Sequence, residues 1–205
     1  MQDAPVTSWM REPHLSVEIL ESVRELNLRF LDIVAIQARD WSAWRPNSPV
    51  AVSAQVAPLS AAQKAAAANC PYALFDLRFE DDCYWQERLR TTDHWGVADA
   101  SPVDPKTLDF VRLALFFAWH VASTSKFAGQ LLLGMHELTV AAFRGITIDR
   151  LPPLAVGEAI NLTARWNGCS PYWRALTGAA SRPNSAKLRR IQLYGLQLTA
   201  AARLT

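Results

Sequence analysis

Ser16-Val-Glu-Ile-Leu-Glu-Ser-Val-Arg-Glu-Leu-Asn-Leu-Arg-Phe-Leu-Asp-Ile33 decides the fold class of this chain. Ile19, Val23, Leu26, Phe30 and Ile33 recur at spacings of four and three, which places them on one helical face. Ser16 supplies an N-cap hydroxyl just ahead of that run. Leu20, Leu28, Leu31 and Val34 widen the apolar face beyond what one neighbour covers, so the helix needs several neighbours, within the fold or across a dimer.

Working outward, the 205 residues are half apolar, enough for one large domain or two small ones. Twenty-one basic side chains against 19 acidic ones leave a net charge of +2, so no global field draws the chain to nucleic acid. Cys70, Cys83 and Cys169 are too widely spaced for a zinc knuckle and odd in number, which fits a reducing cytoplasm better than a disulfide scaffold. The N-terminus lacks the basic start and apolar run of a signal peptide. Phe110 to Ala122, the most apolar stretch, is interrupted by Arg112 and His120 and falls short of the roughly 20 residues that span a bilayer; it reads as a buried helix, with no membrane role.

Punctuation divides the rest. Residues 1–15 hold Pro5 and Pro13 and read as an irregular arm. Trp41 to Pro58 holds Pro46, Pro49 and Pro58 and reads as loop, with at most a short turn near Val52 to Val56. Ser60-Ala-Ala-Gln63 is a capping box ahead of an alanine-rich helix that Pro71 should end. Tyr72 to Phe79 alternates loosely and reads as extended. Residues 91–104, rich in Gly, Asp, Ser and Thr, form the best linker, and Asp104-Pro105 supplies a cap with proline at the first position of the next helix, which should run to about Ser123.

Three stretches resemble a known family: Glu18-Ile-Leu-Glu-Ser-Val-Arg-Glu-Leu-Asn-Leu-Arg-Phe-Leu31, Leu59-Ser-Ala-Ala-Gln63 and Leu77-Arg-Phe-Glu-Asp-Asp82. In that order and spacing they resemble the D subunit of the bacterial flagellar master transcription regulator (FlhD). The resemblance covers residues 16–90. It implies a mainly α, multihelical protein that dimerises and acts beside a cysteine-rich, zinc-bearing DNA-binding partner of the C-subunit (FlhC) type to activate RNA polymerase. Family members carry one such unit in a much shorter chain.

Beyond the linker the pattern restarts. Leu59-Ser60 echoes in Ile146-Thr147 and Arg78-Phe79 in Arg165-Trp166, both 87 residues later, and Tyr84-Trp85 echoes in Tyr172-Trp173, 88 later. Duplication makes residues 105–180 a second, diverged unit and the whole a pseudo-dimer of two tandem FlhD-like units; chance is the other explanation, because identities between the echoes are sparse. Pro152-Pro153 stands where a copy of the alanine-rich helix needs backbone donors.

For chemistry the sequence offers little. No nucleophile with a base, no metal set and no phosphate loop is visible, so neither an enzyme nor a cofactor is expected. His14, His94, His120 and His136 share no ligand spacing, and His120 reads as a core histidine. Glu80-Asp81-Asp82 reads as the solvated start of a short helix over Tyr84 to Leu89. Trp85 and Trp173 read as core residues, with interface anchors as the alternative.

From Arg174 to Thr205 there are six basic residues and no acid. Residues 181–205 read as a basic helix whose Leu188, Ile191 and Leu198 lie on one side; Arg182, Lys187, Arg189 and Arg190 are candidate DNA contacts, because phosphate contacts supply affinity without reading sequence, with an ordinary solvated face as the alternative, since nothing in the spacing marks a recognition helix. Ile19, Val23, Leu26, Phe30, Ile33, Trp85 and Trp173 are candidate partner contacts. The expectation is a cytoplasmic subunit of a bacterial transcription regulator, a homo- or hetero-oligomer acting through a DNA-binding partner, against an alternative helical adaptor with no nucleic-acid role.

Overall fold

A computed structural model describes residues 15–37, 50–90, 104–182 and 185–201. His14, His94, the arm before Leu15, the linker up to Val103 and the proline-bearing stretch 38–49 lie outside them. Among the described residues the fold is mainly helical, with ten α-helices, two short 3-10 turns and one two-stranded ribbon.

The opening helix, α1 (Val17–Gln37), forms as its pattern dictates. The Ser16 hydroxyl accepts the Ile19 amide at 3.3 Å. Val23, Leu26, Phe30, Leu31, Ile33 and Val34 are buried, while Ile19, Leu20 and Leu28 are partly buried against the same core. One polar residue sits among them. The Asn27 side-chain NH2 donates to the Ala68 and Tyr72 carbonyls (3.2 and 2.8 Å), and its oxygen accepts the Leu74 amide (2.7 Å), so a single amide clamps the whole bend around Pro71.

Two expectations about proline need correction. Val50–Val56 is a helix, α2, where the sequence reading allowed only a turn. Its start lies just past Pro49, and proline before a helix removes no bond the helix needs. The second concerns α8 (Leu151–Glu158), in which Pro152 and Pro153 occupy the first turn, whose amide donors have no intrahelical partner in any case. Between these helices, α3 (Ala61–Ala68) carries the full capping box of Ser60 and Gln63. The extended reading of Tyr72 to Phe79 contracts to strand β1 (Phe75–Asp76), and α4 (Asp82–Arg90) follows.

After the linker come α5 (Pro105–Thr124), capped by Asp104, α6 (Lys126–Leu133), α7 (Glu137–Arg144), α8, strand β2 (Thr163–Ala164), α9 (Ser170–Ala180) and α10 (Ser185–Ala201). Gly134 ends α6 at φ +72°, and a Cβ there would strike the Arg165 guanidinium, so both backbone conformation and clearance require glycine. His120, expected in the core, is exposed on α5.

The elements recur in order 88 residues apart. Val17 and Pro105 begin α1 and α5; Phe75–Asp76 and Thr163–Ala164 are β1 and β2; Asp82 and Ser170 begin α4 and α9. Helix α2 corresponds to α7 and α3 to α8, within two residues, whereas α6 and α10 have no counterpart among the described residues. Phe75 pairs with Ala164 and Asp76 with Thr163, antiparallel. Helix α1 packs on α2 and α3 as α5 packs on α7 and α8. Across the halves α1 packs on α5, α4 on α7 and α9 on α2, and buried side chains from both halves form one continuous core.

Candidate functional site

Three arrangements stand out: a junction around Glu158, a second around Tyr172, and the basic surface of α9 and α10.

The first is built on Glu158, at the end of α8, with no exposed surface. Its carboxylate accepts from the Tyr84 hydroxyl (2.7 and 2.8 Å), Arg88 Nε (2.8 Å) and the Asn161 side-chain amide (2.8 Å). Four side chains from both halves thus satisfy one another in a partly dry site, the condition under which a buried carboxylate is tolerated. Burial first, then the neighbouring Glu158 carboxylate, pushes the Tyr84 phenol up, so it stays a neutral donor at any ordinary pH. The Arg78 guanidinium covers the outer face of the Tyr84 ring, 4.1 Å from its centre.

The second junction is apolar and sulfurous where the first is charged. Tyr72 and Tyr172, both fully buried, share a hydroxyl contact of 3.0 Å. Burial pushes the Cys70 thiol up to about 12, and both phenols well above their ordinary value. A thiol held protonated in this way is a packing group and a weak donor, here to the Ala67 carbonyl at 3.2 Å.

Beside the second junction lies Arg165, 3 % exposed. Its Nη1 donates to the Leu132 carbonyl at 3.1 Å, its amide to the Leu74 carbonyl at 2.9 Å, and its own carbonyl accepts Trp173 Nε1 at 2.9 Å. Burial pulls the guanidinium pKa down and pushes the Asp76 carboxyl up, while the attraction between the two works against both shifts. Arg165 and Glu158 carry more of the polar interior than the sequence revealed. The available signal was Glu158, a lone charge in the apolar run Leu151 to Ile160; Arg165 stands in a mixed stretch and gave none.

The basic surface is made by α10, which lies over both halves. Ile191 is buried and Leu188, Leu196 and Leu198 pack partly on the core. Gln192 Nε2 donates to the Asn69 carbonyl at 2.6 Å, capping the end of α3. Gly195 rests on the Tyr72 hydroxyl, where any Cβ would collide, so glycine sets how closely α10 approaches. Arg182, Lys187, Arg189 and Arg190 then point outward and are exposed, as is Arg174 on α9. Leu193 and Tyr194, 60 and 44 % exposed, flank them.

The candidate partner contacts lie elsewhere. Val23, Leu26, Phe30, Ile33, Trp85 and Trp173 are buried in this chain's own core, with only Ile19 partly open. What these side chains hold is the rest of the same chain. Trp85 Nε1 donates to the Leu77 and Arg78 carbonyls at 3.1 and 3.0 Å, matching the bond from Trp173 to Arg165. Among the described residues no group of three or more His, Cys, Asp or Glu can hold a metal ion, and no helix is long and apolar enough to cross a membrane. A scan against protein-family models found no match, nor did searches of curated proteins and of solved structures.

Proposed function

We propose that the protein is a cytoplasmic subunit of a bacterial transcription regulator, working beside a DNA-binding partner of the flagellar C-subunit type, with α10 as its own contact to DNA. The observation that carries this reading is the outer face of α9 and α10. Arg174, Arg182, Lys187, Arg189 and Arg190 are exposed there, on a stretch that contains no acid from Arg174 to the last residue. Such a face attracts phosphates without selecting sequence, and leaves sequence reading and the recruitment of RNA polymerase to the assembly. The resemblance of residues 16–90 to the D subunit supports the same role, one in which the chain needs neither a cofactor nor a catalytic site. The second reading, a helical adaptor, is favoured by Leu193 and Tyr194, whose exposed apolar surface beside the arginines suits a protein partner.

The test is fluorescence anisotropy of the full chain with a short labelled DNA duplex of arbitrary sequence. Four phosphate contacts give a log–log salt slope of about −3.6, at roughly 0.9 per contact. Arg189→Glu with Arg190→Glu should remove the binding and leave the fold intact. Absence of binding at low salt, or binding indifferent to salt, overturns the DNA contact and favours the adaptor.

A further inference from the structure

We infer that residues 17–90 and 105–180 are two copies of one helical unit, closed on each other about a local two-fold axis, so that the surface each copy offers to a second copy is occupied within the chain.

The ribbon carries the symmetry. With a shift of 88 residues, Phe75 is the counterpart of Thr163 and Asp76 of Ala164. Phe75 pairs with Ala164 and Asp76 with Thr163, so exchanging the halves turns one pair into the other. This is the isologous relation of a two-fold interface. Most helix contacts obey it too. Exchange of the halves leaves the α1 and α5 pair unchanged and converts the packing of α4 on α7 into that of α9 on α2, whereas the close packing of α9 on α3 is matched between α4 and α8 by side-chain bonds alone.

Side chains and backbone agree at single-residue resolution. Trp85 donates to the carbonyl eight residues before it, and so does Trp173. Among the described residues only Arg78 and Trp166 combine a side chain with a positive φ, at 59° and 51°, and they stand 88 apart. That conformation is uncommon outside glycine, so its recurrence at matched positions argues strongly against coincidence. Tyr84 bonds Glu158 across the halves. Their counterparts, Tyr172 and Cys70, meet across the halves in the reverse sense.

The register also corrects the echo heard in the sequence. Arg78 corresponds to Trp166, and Leu77 to Arg165, so matching Arg78 with Arg165 was one residue out. Pairwise exchange explains why a face as apolar as that of α1 needs no second chain: its two-fold mate, α5, arrives on the same polypeptide.

The experiment is distance measurement between spin labels on the full chain, with Cys83 and Cys169 replaced by serine and the buried Cys70 kept. Glu25→Cys with Arg174→Cys defines one distance, and Gln86→Cys with Leu113→Cys defines its two-fold mate. All four sites are exposed. The two distributions should coincide to within about 5 Å, one helical turn, and persist when labelled protein is diluted with unlabelled. Distances that differ by more overturn the two-fold relation. Loss of the signal on dilution would place the contact between chains and overturn its closure in cis. Should either double variant melt below the parent, Glu21→Cys with Arg174→Cys and Gln86→Cys with Asp109→Cys test the same symmetry at other exposed sites.

Discussion

Two junctions at matched places in the halves solve the same packing problem with opposite chemistry. Where α4 meets α8, a buried carboxylate is held by a phenol, a guanidinium and an amide. Where α9 meets the end of α3, a thiol and two phenols pack beneath α10. The charged junction leaves Arg88 24 % exposed, whereas the sulfurous one is sealed by the Gly195 contact of α10. Solvent reaches the charged junction at Arg88, and a covering helix closes the other. This follows from the cost of burying an ion that is not fully paired.

Removing the key side chain from each junction should separate them most. Glu158→Ala strips the acceptor from Arg88, Tyr84 and Asn161 and should cost about 3 kcal/mol or more, because breaking a buried pair leaves its partner uncompensated. Cys70→Ala removes a small weak donor and should cost about 1 kcal/mol by urea unfolding. Equal losses would mean that the two junctions do the same work, and the contrast would fail.

Trp85→Phe and Trp173→Phe probe what the halves share. Each deletes an indole bond to the carbonyl eight residues back and should cost about 1.5 kcal/mol, with the two values within about 0.5 of each other. A large disparity in melting temperature would confine the likeness to the backbone.

The smallest effect is a pH slope. Burial holds the Asp76 carboxyl above its unfolded value of about 3.9, so its contribution to stability is complete below that pH and is lost as pH rises through the folded pKa. Asp81 and Glu137, held low by the Tyr84 amide and by the Lys126 contact respectively, work in the opposite sense. The informative quantity is therefore wild type minus Asp76→Asn in urea unfolding, which should fall as pH rises above about 4. A flat difference would remove Asp76 as its source.

Local signals were legible where one residue acts on its neighbours. The cap of Ser16, the capping box at Ser60 and the Asp104-Pro105 start all stand where the sequence placed them. Proline misled twice, at α2 and α8, because its effect depends on whether it falls inside a helix or in the first turn, and periodicity does not fix that boundary. The basic surface was legible because charge faces water wherever a helix packs its other side. The Glu158 junction was not, since Tyr84 and Glu158 lie 74 residues apart and nothing in either local stretch names the other.

The exchange of helices between the halves also sets a schedule for synthesis. Trp85 meets Phe143 edge to face, with ring centres 4.8 Å apart, and Phe79 lies 6.1 Å from the same ring. At roughly 5–20 residues per second, a ribosome that has just added Trp85 takes several seconds more to reach Phe143. Through that interval Phe79 and Trp85 have each other but lack the cover that Phe143 will supply, a window in which chaperones and aggregation compete for the growing chain.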